Sequence, residues 1–178
     1  MLKLNNLALC ALILLPMAAI AQTSAPSMSQ SETANEHNAQ VAAIEQMMKQ
    51  YHEAVVTHNG VALSGLFLPD ANIWLNVLTE AAYDRAQAKG MKAPKIRVGS
   101  YRDFVKFVSS TPKALDPEHS NVVILTDGTI AAVFFNYVFN IDGKAGNRGS
   151  ETWQLVKTAD GWQIAAMCYS SDPAVLRS

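Results

Sequence analysis

The chain has 178 residues, 49% of them hydrophobic, with 14 basic and 15 acidic side chains and a formal charge of −1. A near-neutral balance with no basic patch argues against nucleic acid and anionic membrane surfaces as partners. The length suits one domain with a sizeable core.

The N-terminal stretch "MLKLNNLALCALILLPMAAIAQ" carries Lys3, an apolar run from Leu7 to Ile20, and the small-x-small pattern Ala19-Ile20-Ala21. That is the pattern of a signal peptide over residues 1–21, cleaved after Ala21. The alternative is an uncleaved anchor, but the run falls short of the roughly 20 apolar residues that a span needs. Leu9 before Cys10 is too bulky for a lipidation box. A periplasmic or secreted protein is therefore expected, with no membrane attachment after cleavage. Cys168 is then the lone cysteine, which rules out an intrachain disulfide. Alternation places it on one face with Ile164 and Ala166, as a buried thiol.

Residues 22–38 are polar, Ser-rich and aperiodic, and read as a disordered linker that includes His37. The ordered domain is expected over residues 39–178. Val41, Ile44, Met48, Tyr51, Val55 and His58 recur at steps of three and four, one stripe of an amphipathic helix. Asn59 caps a short helix carrying Leu63, Leu66 and Phe67, and Pro69-Asp70 breaks it. "NIWLNVL" follows as a strand. Thr79 opens a helix that Gly90 ends, "KIRV" is a short strand, and Ser100 with Asp103 opens another helix through Val108. Pro112 and Pro117 bracket a loop. The rest reads as a four-strand antiparallel meander: "SNVVILT", "TIAAVFFNYVFNI", "SETWQLVK" and "WQIAAMCYS", with turns at Asp127-Gly128 and "TADG". Helices followed by a meander make an α+β fold, with a curved sheet covering its apolar face on one long helix.

Two stretches, "YHEAVVTHNGVALSGLFLPDANI" (Tyr51 to Ile73) and "GSETWQLVKTADGWQIAAMCYS", carry a resemblance. In their order of helix, Leu-Phe element and Trp-containing hairpin they resemble the nuclear transport factor 2-like superfamily, in its bacterial SnoaL-like and ketosteroid-isomerase-like branches. The resemblance implies a cystatin-like cone: a curved antiparallel sheet around a long N-terminal helix, three to four helices in all, and an apolar cavity at the open end. It does not imply one activity, because the family spans isomerases, cyclases, dehydratases, ligand binders and dimerisation domains.

Residue by residue, the resemblance places Tyr51 where the isomerases hold a tyrosine whose phenol donates to a ligand carbonyl. The other reading of Tyr51 is a core residue filling the stripe. The isomerases' catalytic aspartate falls on Leu75, so their general base is missing. Period two puts Glu151, Trp153 and Leu155 on one face. If that face is the inner one, Glu151 sits where the isomerases place a second acid, with a raised pKa. If the register differs, it is a solvated rim residue.

The expected pocket is lined by Tyr51, His58, Trp74, Phe104, Phe135, Tyr137, Glu151 and Trp153, with Tyr51 and Glu151 as candidate catalytic groups. His58 has a second reading as a helix C-terminal residue. His52, His58 and His119 show no metal-ligand spacing, so neither a metal nor a cofactor is expected. Three functions follow: a binder of a small apolar or aromatic molecule, a cofactor-independent isomerase, lyase or cyclase, or a homodimerising module of the cell envelope. A homodimer is expected through the outer face bearing Ile130, Ala132, Phe134, Asn136 and Val138.

Overall fold

The computed structural model describes residues 30–69 and 73–177. The expected leader, the first part of the linker and Asp70 lie outside the described residues. The helices are α1 (Gln30–Val56), α2 (Gly60–Gly65), α3 (Glu80–Ala88), α4 (Tyr101–Ser110) and α5 (Ala174–Arg177). The strands are β1 (Ile73–Leu78), β2 (Ile96–Val98), β3 (Leu115–Thr126), β4 (Ile130–Ile141), β5 (Lys144–Thr158) and β6 (Gly161–Ser171).

All six strands form one sheet in the order β2-β1-β6-β5-β4-β3. The α+β, cystatin-like architecture holds, with α1 packed on the inner face of the curved sheet. Strands β3 to β6 make the expected antiparallel meander. β1 returns to the sheet parallel to β6, so the sheet is mixed rather than wholly antiparallel.

Ile44, Met47, Met48, Tyr51, Ala54 and Val55 form the buried stripe of α1. Facing them from the sheet are Ala131, Val133, Phe135, Trp153, Leu155, Trp162, Ile164 and Met167. Each fully buried Leu, Ile or Phe contributes roughly 1.5–3 kcal/mol, so this stripe fixes α1 against the sheet. A smaller core of Leu78, Ala82, Ala86 and Leu176 holds the α3 segment to the C-terminus. There Asp172 receives Arg85, Arg148 and Arg177, and Arg85 Nε donates to the Leu176 carbonyl.

Four local expectations need correction. Helix α1 begins at Gln30, about two and a half turns before Ala39, so the linker reading fails from Gln30 onward. No Pro or Gly interrupts residues 30–38, and extending an existing helix is far easier than nucleating one. Strand β3 begins at Leu115 and contains Pro117, which an edge strand tolerates. Its register slips between Ser120 and Val123, where Asn121 has φ 53°. Between β5 and β6 the register also shifts, pairing Gln154 with Ala166 but Leu155 with Ile164. The extra residue, Ala165, leaves Ile164 and Met167 inside and turns Cys168 to the outer face, away from Ile164. The fourth correction is α5, which brings the described helices to five instead of three to four.

The outer sheet face stays apolar and uncovered. Phe134 pairs with Val123 and Thr152, Ala132 pairs with Leu125, and Phe134 is 46% and Leu125 67% exposed. Apolar surface of this extent is a liability in water. The expected outcome of light scattering at micromolar concentration is a homodimer that a charged substitution, Phe134→Glu, returns to monomer. A monomeric wild type contradicts the expectation.

Candidate functional site

The open end of the cone encloses a cavity of about 230 Å³. Each wall comes from a different element. Helix α1 supplies Tyr51, β1 Trp74, α4 Phe104 and Phe107, β3 Pro117 and His119. From the rest of the sheet come Tyr137, Phe139 and Ile141 on β4, Asn147 and Glu151 on β5, and Met167 and Tyr169 on β6. The sheet's register explains the grouping. Phe135, Glu151 and Tyr169 are successive cross-strand partners, and His119 pairs with Tyr137 on the adjacent row. Helix α1 covers the sheet only as far as Tyr51, whose ring lies 4.9 Å from Trp153 and 6.2 Å from Phe104. Beyond that point the cover comes from Phe104 and Phe107 of α4, and the cavity is the space left between the two helices and the sheet.

Glu151 is the anomaly on this wall. It is 8% exposed, with Trp153 fully buried two residues on. Trp153 Nε1–H donates to Oε1 of Glu151 at 2.5 Å, and no hydrogen bond to Oε2 is seen among the described residues. Burial pushes the carboxyl up to about 7, against a smaller opposing effect of the Trp153 hydrogen bond. The Tyr51 hydroxyl also lacks a hydrogen-bond partner among the described residues. Burial first, and then the charge of Glu151, hold its pKa well above the ordinary value. Tyr51 therefore stays a neutral donor at every physiological pH.

The other tyrosines differ. Tyr137 Oη donates to the Ser170 carbonyl at 2.9 Å, so its hydroxyl is already engaged. Gly149, opposite Tyr137, permits the close approach: a Cβ there would lie 2.1 Å from the Ser170 oxygen. Burial raises the pKa of Tyr169, while the side chains of Trp74 and Asn76 partly offset it.

His119, next to the Pro117 break, has no sequence period to orient it, and only the structure brings it to the cavity. Its ring lies 5.9 Å from Tyr51 and 4.4 Å from Phe135, and among the described residues no hydrogen bond engages either nitrogen. Burial, and then the nearby His52, push it down to about 4, so it is neutral at neutral pH. It also lines a surface groove beside His52 and Lys49, which makes its ring part of the partition between cavity and solvent. His52 itself pairs with Asp116 across the α1–β3 seam at 3.0 Å.

Of the residues expected in the pocket, Tyr51, Trp74, Phe104, Tyr137 and Glu151 line the cavity. Phe135 and Trp153 do not: both are fully buried behind it, ring edge to ring face at 5.1 Å. His58 is also elsewhere. It has φ 56° at the turn after α1, and its Nδ1–H donates to the Val108 carbonyl at 2.8 Å, fastening α1 to α4. Leu75, at the place of the isomerases' base, pairs with Val98 and Cys168 on the outer face. Among the described residues no group of three or more His, Cys, Asp or Glu side chains is arranged to hold a metal.

Two buried groups make stability depend on pH in opposite directions. Glu151 binds its proton more tightly folded than unfolded, so its stabilisation is complete below about 4.5 and is lost as pH rises through about 7. His119 resists protonation when folded, so its contribution is complete above about 6.5 and is lost as pH falls through about 4. Each amounts to about 3 kcal/mol. Between about 4.5 and 6.5 the two slopes oppose and nearly cancel, so denaturant unfolding of wild type is expected to be nearly flat there, whereas Glu151→Gln should gain stability as pH rises from about 4 to 6.5. A Glu151→Gln profile that stays flat over that range contradicts the assignment.

No family model matches the chain, and no curated protein does. Solved structures do. A protein of unknown function from Mycobacterium tuberculosis superposes with a TM-score of 0.59 at 13% identity, over 81% of this chain and 78% of that one. A protein named as a candidate scytalone dehydratase from Novosphingobium aromaticivorans gives 0.57 at 14%, over 78% and 88%. A candidate dehydratase of the NTF2-like family from Streptomyces avermitilis gives 0.56 at 18%, over 78% and 99%. At such identities the likeness speaks for the fold alone: this chain has the nuclear transport factor 2-like fold.

Proposed function

We propose that the chain binds a small, uncharged, apolar or aromatic molecule carrying an acceptor oxygen, held by Tyr51 and Glu151. The observation that carries this is the pairing of two unengaged donors with an otherwise apolar cavity. A ligand carbonyl placed between the Tyr51 hydroxyl and protonated Glu151 would accept from both, and a hydrogen bond of that kind contributes about 0.5–1.5 kcal/mol. Size narrows the class. An apolar cavity of about 150 Å³ takes one benzene ring. One of about 230 Å³ suits one substituted ring or two fused rings.

A second reading, a cofactor-independent isomerase or lyase, is favoured by His119. Its neutral ring on the same wall is a candidate base in place of the one missing at Leu75. In that reading Tyr51 and Glu151 polarise the carbonyl while His119 removes a proton beside it. A base with a pKa near 4 works far from the optimum at neutral pH, which is why binding stands first. Export to the periplasm or beyond, read from Ala19-Ile20-Ala21, is part of the same proposal.

Calorimetry with 1-tetralone and its hydrocarbon twin tetralin tests the reading. Wild type is expected to prefer the ketone, and Tyr51→Phe to lower ketone affinity roughly five- to tenfold with little change for tetralin. Ketone affinity should weaken as pH rises through about 7, where Glu151 ionises and ceases to donate. Glu151→Gln, which keeps a donor but does not titrate, should lose that dependence. Equal affinity for ketone and hydrocarbon in wild type contradicts the proposal. So does a Tyr51→Phe variant that loses stability strongly but keeps the ketone preference.

A further inference from the structure

A carboxylic acid on an apolar wall has two equivalent oxygens, and nothing in the acid itself decides which holds the proton. Here the symmetry is broken. Glu151 and Trp153 lie two residues apart on β5 and so share the inner face, within reach of each other along one strand. Trp153 Nε1–H, a donor only, reaches Oε1 at 2.5 Å. The indole is fully buried and held by rings on three sides: Tyr51 at 4.9 Å, Phe135 at 5.1 Å and His119 at 6.0 Å. It has no freedom to turn away.

We infer that Trp153 is a positioning residue: its N–H occupies Oε1, assigns the carboxyl proton to Oε2, and so gives Glu151 a single donor direction into the cavity. This rests on the reading that Glu151 donates to the ligand. The consequence is a rule of selection. With the Oε2 proton and the Tyr51 hydroxyl both directed at the cavity, the site favours ligands that present lone pairs: ketones, aldehydes, quinones or ring nitrogens. It disfavours amines and ammonium ions, which bring donors to donors. Among the described residues that line the cavity with Glu151, none is a cation that would stabilise its charged form. α1 contributes Tyr51, β3 the neutral His119, β4 Tyr137 and β6 Tyr169. The Trp153 hydrogen bond is the one contact that favours the carboxylate, and it sets where ionisation begins.

The first test needs no variant. In wild type, the Trp153 indole N–H resonance is expected to move with a single midpoint near pH 7, because its acceptor gains charge there. The signals of Trp74 and Trp162 should not follow it, and Glu151→Gln should leave the Trp153 signal flat. A Trp153 signal that is static between pH 5 and 8 overturns the inference. The second test replaces Trp153 by benzothienylalanine, which keeps ring shape and exchanges N–H for sulfur. The pH midpoint of 1-tetralone capture should then rise by about one pH unit, since a hydrogen bond favouring the carboxylate has been removed. A role in packing alone would lower affinity at all pH values and leave the midpoint where it was, which overturns the inference. The two readings fail separately. If Glu151→Gln keeps the wild-type pH dependence of capture, Glu151 is not the donor and both fall. If Glu151→Gln abolishes it while the sulfur analogue leaves the midpoint unmoved, only the role of Trp153 falls.

Discussion

One helix has to cover the inner face of a six-stranded sheet, and it is too narrow to do so. That mismatch governs the rest of the molecule. The apolar stripe of α1 runs from Ile44 to Val55 and seals the part of the sheet that carries Val133, Trp153, Leu155 and Ile164. Toward Phe139 and Ile141 the face is roofed by Phe104 and Phe107 of α4, leaving the space between as a cavity. The sheet curls because its inner face is apolar along four consecutive strands and a flat sheet would leave more of that face in water. The cavity is thus a consequence of core formation, and its polar groups are those that the strand register happens to aim inward.

The same mismatch accounts for the electrostatics. Glu151 and His119 line the cavity beside Tyr51 of α1, close enough to the core to be desolvated. Desolvation disfavours the charged form of each, so the acid is drawn up and the base down until both are neutral between about pH 4 and 7. A cavity of neutral donors and one neutral acceptor is suited to polar but uncharged chemistry. Among the described residues that line it, none supplies a countercharge for a strongly anionic or cationic ligand.

Much of this was legible in the sequence, and the failures share a cause. The stripe that marks α1 and the alternation Glu151, Trp153, Leu155 are periodic signals, and both led to the correct buried faces. Tyr51 and Glu151 sit on those signals, which is why the sequence places both on the inner side of the fold. Phe135 and Trp153 were placed on the right face but too near the open end, since alternation gives a side and not a depth along the cone. His119 and the start of β3 were lost together: Pro117 reads as a break, although an edge strand accommodates it. The turn of Cys168 to the outer face depends on one extra residue at Ala165, and a bulge of that kind has no local sequence mark. His58 extended the helical stripe by one step, but its φ of 56° ends the helix and points the ring to Val108 instead.

The central claim is that Glu151 is an uncharged acid inside the cavity at mildly acidic pH and gives up its proton only near pH 7. Infrared difference spectroscopy between wild type and Glu151→Gln reads this directly, as the carbonyl stretch of a protonated carboxyl. The account predicts a band that survives well above the usual carboxylate range and fades with a midpoint near pH 7. A band that disappears near pH 4.5, as for a solvated glutamate, would contradict it.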